Sequence, residues 1–302
     1  VAGRLLPPGS ERVAVTLDTG AVRLAERVQA VDGHLHLERL ERTDVVPETR
    51  VSSVEPVRFA LGSDRFGRDV WSRCVWGGRV SLAIGGLAVL LAWSLGLAVG
   101  ATAALSGGWL DATLMRSVDA LLAFPWIFVL IAVASMFSPT TGLLVLVLGA
   151  SSWMAPSRLA RAEIRRWRDR DFVLAARGLG RSEPSIFLHH VLPNAATPLV
   201  VDATLRAGSL ILAEAALSFL GLGVQPPTAS WGNMIAAGRP HLPEAWWLVL
   251  FPAAALVATV LGLQLLGDGL RDALDPQRRV APAAPTESTL HQGPPLESQP
   301  AR

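Results

Sequence analysis

The side chains able to do chemistry in this sequence are few and far apart. Glu214 lies deep in the apolar run AGSLILAEAALSFLGLG, and no partner for it is read at i±3 or i±4. A carboxylate in such surroundings must face a solvated pathway or meet a partner. Two roles therefore stand side by side for Glu214: a pathway or gate group, and one end of an interhelical hydrogen bond. Asp119 follows Arg116 by three residues and shares a helix face with it. A structural pair is the expectation there, with a substrate contact as the alternative. Asp202 and Arg206, spaced i, i+4, read as a second structural pair. His189 and His190 are adjacent, so on a helix they point in different directions, and no carboxylate or Cys completes a metal site. Asp64 and Asp69 in DRFGRD lack the spacing and the closing Glu of a calcium loop, which leaves an external turn. The GLG tripeptides at 178–180 and 221–223 neither follow a strand nor open a βαβ unit, and there is no GxxxxGK[ST]. Cys74 is the single cysteine, too few for an intrachain disulfide framework or a cysteine-based metal cluster. No catalytic residue, metal or cofactor is expected.

What must position these groups is a set of apolar helices. Of the 302 residues, 51% are hydrophobic and 17% charged, against roughly 25% charged in soluble domains. The net charge of +2 is too small to imply nucleic acid as a partner. A membrane-crossing helix needs about 20 mostly apolar residues. Residues 80–105 carry no charge at all. The uncharged stretch from Ala120 to Ser157 is too long for one span and is broken by SPTTG, which places helices at about 115–137 and 141–159. Two more follow at about 197–221 and 245–267, the last opening on Trp246 and Trp247 at interfacial level. The expected fold is an all-α membrane protein with five spans.

Arginine placement orients it. The segment RLARAEIRRWRDRDFVLAARGLGR between the third and fourth helices is dense in Arg, the SPTTG turn has none, and 222–245 has Arg239 alone. The positive-inside rule then puts the 158–194 loop and the C-terminus in the cytoplasm, and residues 1–79 outside. In that external segment VAVTLDTGAVRL and HLHLERLER alternate apolar and polar residues, the pattern of short strands. Residues 80–279 form the transmembrane domain, and the Pro-rich polar tail at 280–302 is expected to be disordered.

The cytoplasmic stretch DFVLAARGLGRSEPSIFLHHVLPNAATP, residues 171–198, combines small residues that permit close approach with Pro193, read as ending a short helix and starting the turn into the next span. It resembles the E-A-A…G signature of ABC importer permeases, with Leu174 where that family carries Glu. LGSDRFGRDVWSRCVWGGRVSL at 61–82, SVDALLAFP at 117–125, HHVLPN at 189–194, EAALSFLGLGVQPPTASWGNMI at 214–235 and LLGDGLRDALDP near the end strengthen the likeness. Together they resemble the second permease subunit of dipeptide, oligopeptide and nickel importers over about 61–279.

The resemblance implies the type I importer permease fold and a passive pathway subunit. It implies a related second permease, two ATPase subunits and an external binding protein as partners, in a lipid bilayer. It implies a coupling helix at about 171–190 that docks on the ATPase, with Ala175, Ala176, Gly178, Gly180, His189 and Pro193 as its residues. Family members carry an extra span before the external segment. The sequence, beginning at Val1, is expected either to lack a first span of about 20–25 residues or to be a five-span variant. Peptides are the expected cargo, with nickel chelates or other small solutes as the alternative. A self-powered secondary transporter is the more distant rival, and it lacks support from repeated halves or intramembrane ion-coupling sites.

Overall fold

The computed structural model describes residues 5–39, 42–137 and 140–274. The tail at 280–302, and Ser138 and Pro139 of the SPTTG turn, lie outside the described residues.

The N-terminal segment folds as six strands: β1 Ser10–Leu17, β2 Val22–Ala25, β3 Arg27–Val31, β4 His34–Arg39, β5 Arg42–Pro47 and β6 Val51–Phe59. They pair antiparallel as two sheets, ordered β2-β1-β6 and β3-β4-β5. Asp32 and Gly33 both have positive φ and join β3 to β4 in the two-residue turn that Asp-Gly favours. The alternation of HLHLER turns Leu37 inward to meet Val15, Ala25 and Val46 in a small core.

The helical part begins with α1, Val70–Ser106. Asp69 caps it by accepting from the Ser72 amide at 2.8 Å, so the helix starts well before the uncharged run at residue 80. Its 37 residues span about 55 Å. A buried stripe of small residues, from Gly77 and Ser81 through Ala88, Ala92 and Gly96 to Gly100, runs along one face. The expected second span is two helices, α2 Gly108–Leu122 and α3 Trp126–Met136, broken at Phe124–Pro125 because the residue before a proline avoids the helical region. The expected third span is also divided. Here α4, Thr141–Ser152, meets α5, Met154–Arg168, at a bend of 49°. Then come α6 Asp171–Gly178, α7 Glu183–Ile186, α8 Leu192–Phe219, α9 Trp231–Gly238 and α10 Trp247–Leu274. Among the described residues, α1 and α10 are long and apolar enough to cross a membrane, and the bent α4–α5 pair passes as a third. In α8 the charges of Asp202, Arg206 and Glu214 lower the hydropathy. The first two neutralise each other at 2.5 Å.

Contacts along the helices set their directions. α1 runs parallel to α5: Gly96 faces Trp153 and Pro156, and Gly100 faces Ser157 and Ala160. A side chain at Gly100 would put its Cβ 2.8 Å from that of Ala160, so this approach needs glycine. α8 runs antiparallel to α1, with Gly85 against Ile211, and antiparallel to α10, with Gly208 against Val260 and Leu205 against Gly267. One end of the bundle thus gathers the start of α1, the end of α8, α9, the start of α10 and the β-sheets. Trp247 Nε1 donates to the Ser63 carbonyl at 3.3 Å there, and the Leu6 amide donates to Ser63 Oγ at 3.0 Å. The opposite end gathers α5, α6, α7, the start of α8 and the end of α10.

Candidate functional site

The Arg-dense end is built on α5. Asp111 of α2 accepts from Arg161 Nε at 2.5 Å, Arg161 Nη2 at 2.7 Å and Arg165 Nη2 at 2.6 Å, which ties α2 to α5. Arg168 donates to the Ala104 carbonyl at the end of α1. Asp119 pairs with Arg158 of α5 at 3.2 Å and not with Arg116. The neighbouring helix, already drawn in by Asp111, brings a guanidinium closer than the i, i−3 residue does.

α6 lies beyond this cluster. Val173 and Ala176 are buried with Ile164, Ile186, Val191 and Ala195. Its other face is bare: Phe172, Leu174 and Leu179 are exposed, as is Leu188 just beyond, and Leu179 is 85% accessible. Ala175 and Gly178 share that exposure, and a Cβ built on Gly178 meets nothing within 4 Å. Gly180 has φ +80° and ends the helix. The Arg181 amide donates back to Ala176 O at 3.3 Å and the Gly180 amide to Arg177 O at 3.0 Å, the paired pattern of a left-handed cap. Gly221 ends α8 in the same way, with Leu222 N donating to Leu217 O at 2.9 Å. Both GLG tripeptides are therefore helix stops. Arg177 grips Glu183 through two bonds, Nε–Oε1 at 2.6 Å and Nη2–Oε2 at 3.1 Å, bracing the turn after α6. The hydrogen bonds from Arg177 hold the Glu183 carboxyl below the usual carboxylate range.

Pro193 does not start a turn. The chain passes from α7 through one wide turn, Phe187–Val191, directly into α8, where Pro193 sits in the first helical turn. A proline has no amide to donate and crowds the carbonyl four residues back, and the wider turn relieves both. His189 Nδ1 lies 3.0 Å from Ser185 O, and Asn194 Nδ2 donates to His190 O at 2.6 Å.

Glu214 lies at the other end and is fully buried. Ser81 Oγ of α1 donates to its Oε2 at 2.8 Å, and Ser218 Oγ, at i+4, donates to Oε1 at 2.7 Å. The expectation of no partner at i±3 or i±4 is therefore overturned, because a serine hydroxyl at i+4 can donate to the carboxylate as a charged group would. The two serines also accept, Ser81 from Trp231 N at 3.3 Å and Ser218 from Val224 N at 3.0 Å. Ser230 and Asn233 cap α9 reciprocally, and Asn233 Nδ2 donates to Val224 O and Thr228 O at 3.0 and 2.8 Å. Trp231 Nε1 reaches Cys74 O at 2.9 Å. The stretch EAALSFLGLGVQPPTASWGN is thus one packed hydrogen-bonded corner.

Residues 96–280 match the model of the family described as binding-protein-dependent transport system inner membrane component. The chain belongs to that family. Relatives include peptide permease proteins of Brucella ovis and Brucella suis, each 45% identical over 219 residues covering 72% of both chains. A dipeptide transport system permease protein of Alkalihalophilus pseudofirmus is 40% identical over the same shares. Among solved structures, an inward-facing conformation of the MetNI methionine ABC transporter superposes with TM-score 0.53 at 19% identity, covering 68% of this chain and 97% of that one. An amino acid ABC transporter matches at TM-score 0.53 and 16% identity over 68% and 95%. These place the helical part in the type I importer permease fold. The permease is a transmembrane component of an ABC importer and not itself an enzyme.

The exposed face of α6 was only partly legible in the sequence. Its small residues were visible, whereas the apolar face made by Phe172, Leu174, Leu179 and Leu188 shows only when Val173 and Ala176 are seen to point inward. The acceptor Asp111 was not singled out at all, since its arginines lie 50 and 54 residues away.

Proposed function

We propose that this permease carries peptides inward, with residues 158–194 and the end of α10 in the cytoplasm and the β-sheets outside. It works beside a second, related permease, receives cargo from an external binding protein and is driven by two ATPase subunits. The observation that carries the coupling role is α6 itself: one face is locked into the core, and the other presents exposed leucines and Phe172 at the tip of the Arg-rich end. Apolar side chains at an aqueous end of a membrane protein call for a protein partner. Ala175, Gly178 and Gly180 keep that face low, Ala176 anchors it, and the turn holding His189 and Pro193 links it to α8. ATP-driven closure of the ATPases moves α6, and α8 moves with it, re-orienting the spans. Asp119 and Arg158 act as a structural pair, and Glu214 as a clamp at the corner beneath the binding-protein side. Relatives named for peptides and dipeptides at 40–45% identity favour peptide cargo over nickel chelates.

Cysteine labelling tests the orientation. In a Cys74→Ser background, Arg181→Cys should resist a membrane-impermeant maleimide in intact cells and react once the membrane is opened. Labelling from outside overturns the orientation and the coupling role with it. Uptake of a radiolabelled dipeptide by cells expressing the permease with its co-encoded subunits tests the cargo. Uptake of a nickel chelate in place of the dipeptide would reassign it.

A further inference from the structure

We propose that the cleft between the 64–68 turn, the start of α1, the end of α9 and the start of α10 binds the phosphate of a phospholipid headgroup. The cleft is small, with a cavity volume of about 30 Å³, and partly open to solvent. Arg65, Arg68, Arg73 and His241 line it, and Asp64 is the one acidic residue among its lining. Asp64 is already committed: it accepts from Phe66 N at 2.8 Å, Arg68 N at 3.0 Å and Arg68 Nε at 2.7 Å, with Arg73 Nε at 3.7 Å. The neighbouring Asp69 is spent on the α1 cap. Arg68 and Arg73 both engage Asp64 through Nε, so the terminal nitrogens of their forks remain for a second acceptor. Arg65 has no carboxylate partner among the described residues and stacks on Phe66 at 4.6 Å. The cleft therefore holds more positive charge than it neutralises, on guanidiniums whose planar forks suit phosphate oxygens.

Its other lining is apolar, from Phe66, Val70, Met234 and Leu248. A phosphate carried on a glycerol and acyl chains would use both halves, whereas a free anion would leave the apolar half unused. Position argues the same way. The cleft sits where α1 begins and α10 starts, the two helices of membrane length. Exposed Trp71 and Trp76, with Arg79 4.4 Å over the Trp76 ring, and exposed Trp246 stand at that level. Tryptophan and arginine gather where headgroups meet the hydrocarbon. An acidic protein surface is the less suited occupant, because the cleft is flanked by these apolar rings. Such a site requires only that α1 and α10 cross the membrane, whichever leaflet faces the cleft.

The test uses the full chain purified in an uncharged detergent and titrated with dioctanoyl phosphatidylglycerol, followed by native mass spectrometry and tryptophan fluorescence. One lipid should be retained per chain. Arg65→Gln and Arg73→Gln should each weaken it about tenfold, which corresponds to about 1.4 kcal/mol. Arg65 is exposed and stacks on Phe66, so Arg65→Gln should melt at the wild-type temperature and decides the matter if Arg73→Gln does not fold. Wild-type affinity in Arg65→Gln overturns the proposal. So does dioctanoylglycerol binding as tightly as the phospholipid, which would mean an apolar groove only. Competition by inorganic phosphate at equal concentration would mean a free-anion site. Displacement by a hexaglutamate peptide at lower concentration than the lipid would mean an acidic protein partner.

Discussion

Gly178→Asp is expected to leave the permease folded and inserted while abolishing both ATPase recruitment and uptake. In the isolated chain the new Cβ meets nothing within 4 Å, and Gly178 is exposed at the end of α6. A surface substitution of this kind costs within about 0.5 kcal/mol, with a few tenths more for a carboxylate near the negative end of a helix. Docked on an ATPase, the same carboxylate would be buried without a partner, at a cost of several kcal/mol. Even half of a 3 kcal/mol penalty would weaken association about tenfold, at 1.4 kcal/mol per decade. Co-purification of the ATPase subunits with wild-type and variant permease measures this, and equal melting temperatures show that the fold survives. Full recovery of ATPase with full transport would mean that α6 is not the coupling element. Leu179→Asp makes an independent check on the same face, since Leu179 is the most exposed of its apolar side chains.

The places where sequence reasoning met the fold follow from what each signal physically measures. The Asp-Gly turn and the alternation of HLHLER are local, so the strands of the N-terminal segment were legible. Uncharged length located α1 and α10, because hydrocarbon excludes charge over about 20 residues. It misjudged their ends, because Asp69 caps α1 at a polar border that hydropathy does not see. It also ran through Pro125 and the bend at Trp153, since an apolar count is blind to backbone breaks. Pro193 was read by its usual habit of stopping a helix, and the wide turn at Phe187–Val191 absorbs it instead. Long-range pairs were invisible in principle: Asp111 meets Arg161, and Ser81 meets Glu214 across 133 residues. The partner at i+4, Ser218, was legible had hydroxyls been counted beside charges.

Glu214→Ala is expected to loosen the corner that Glu214 holds, and Glu214→Gln to spare it. Interhelical hydrogen bonds in membranes average about 0.6 kcal/mol and reach about 1.7, because the unfolded chain in lipid finds other partners. Glu214 accepts one such bond, from Ser81, and one within α8, from Ser218, so their direct loss amounts to about 1–2 kcal/mol, and the serines recover part of it by turning to carbonyls on their own helices. Turning them has a second consequence. Ser81 and Ser218 hold the Trp231 and Val224 amides, the two ends of the corner before α9. With the serines reoriented, residues 224–231 should open to protease and the melting temperature should fall by several degrees, at roughly 2–4 °C per kcal/mol for a chain of this size. Glutamine keeps the volume and one carbonyl acceptor, and a hydroxyl can rotate to accept from its amide nitrogen. An unchanged proteolysis pattern in Glu214→Ala would sink the clamp. Uptake in Glu214→Gln then separates the two roles that an acid in an apolar helix can have. A clamp tolerates the loss of charge, so transport continues at near the wild-type rate. A pathway or gate group that acts by its charge does not, and a well-folded Glu214→Gln without uptake would move Glu214 from the corner's structure into the transport path.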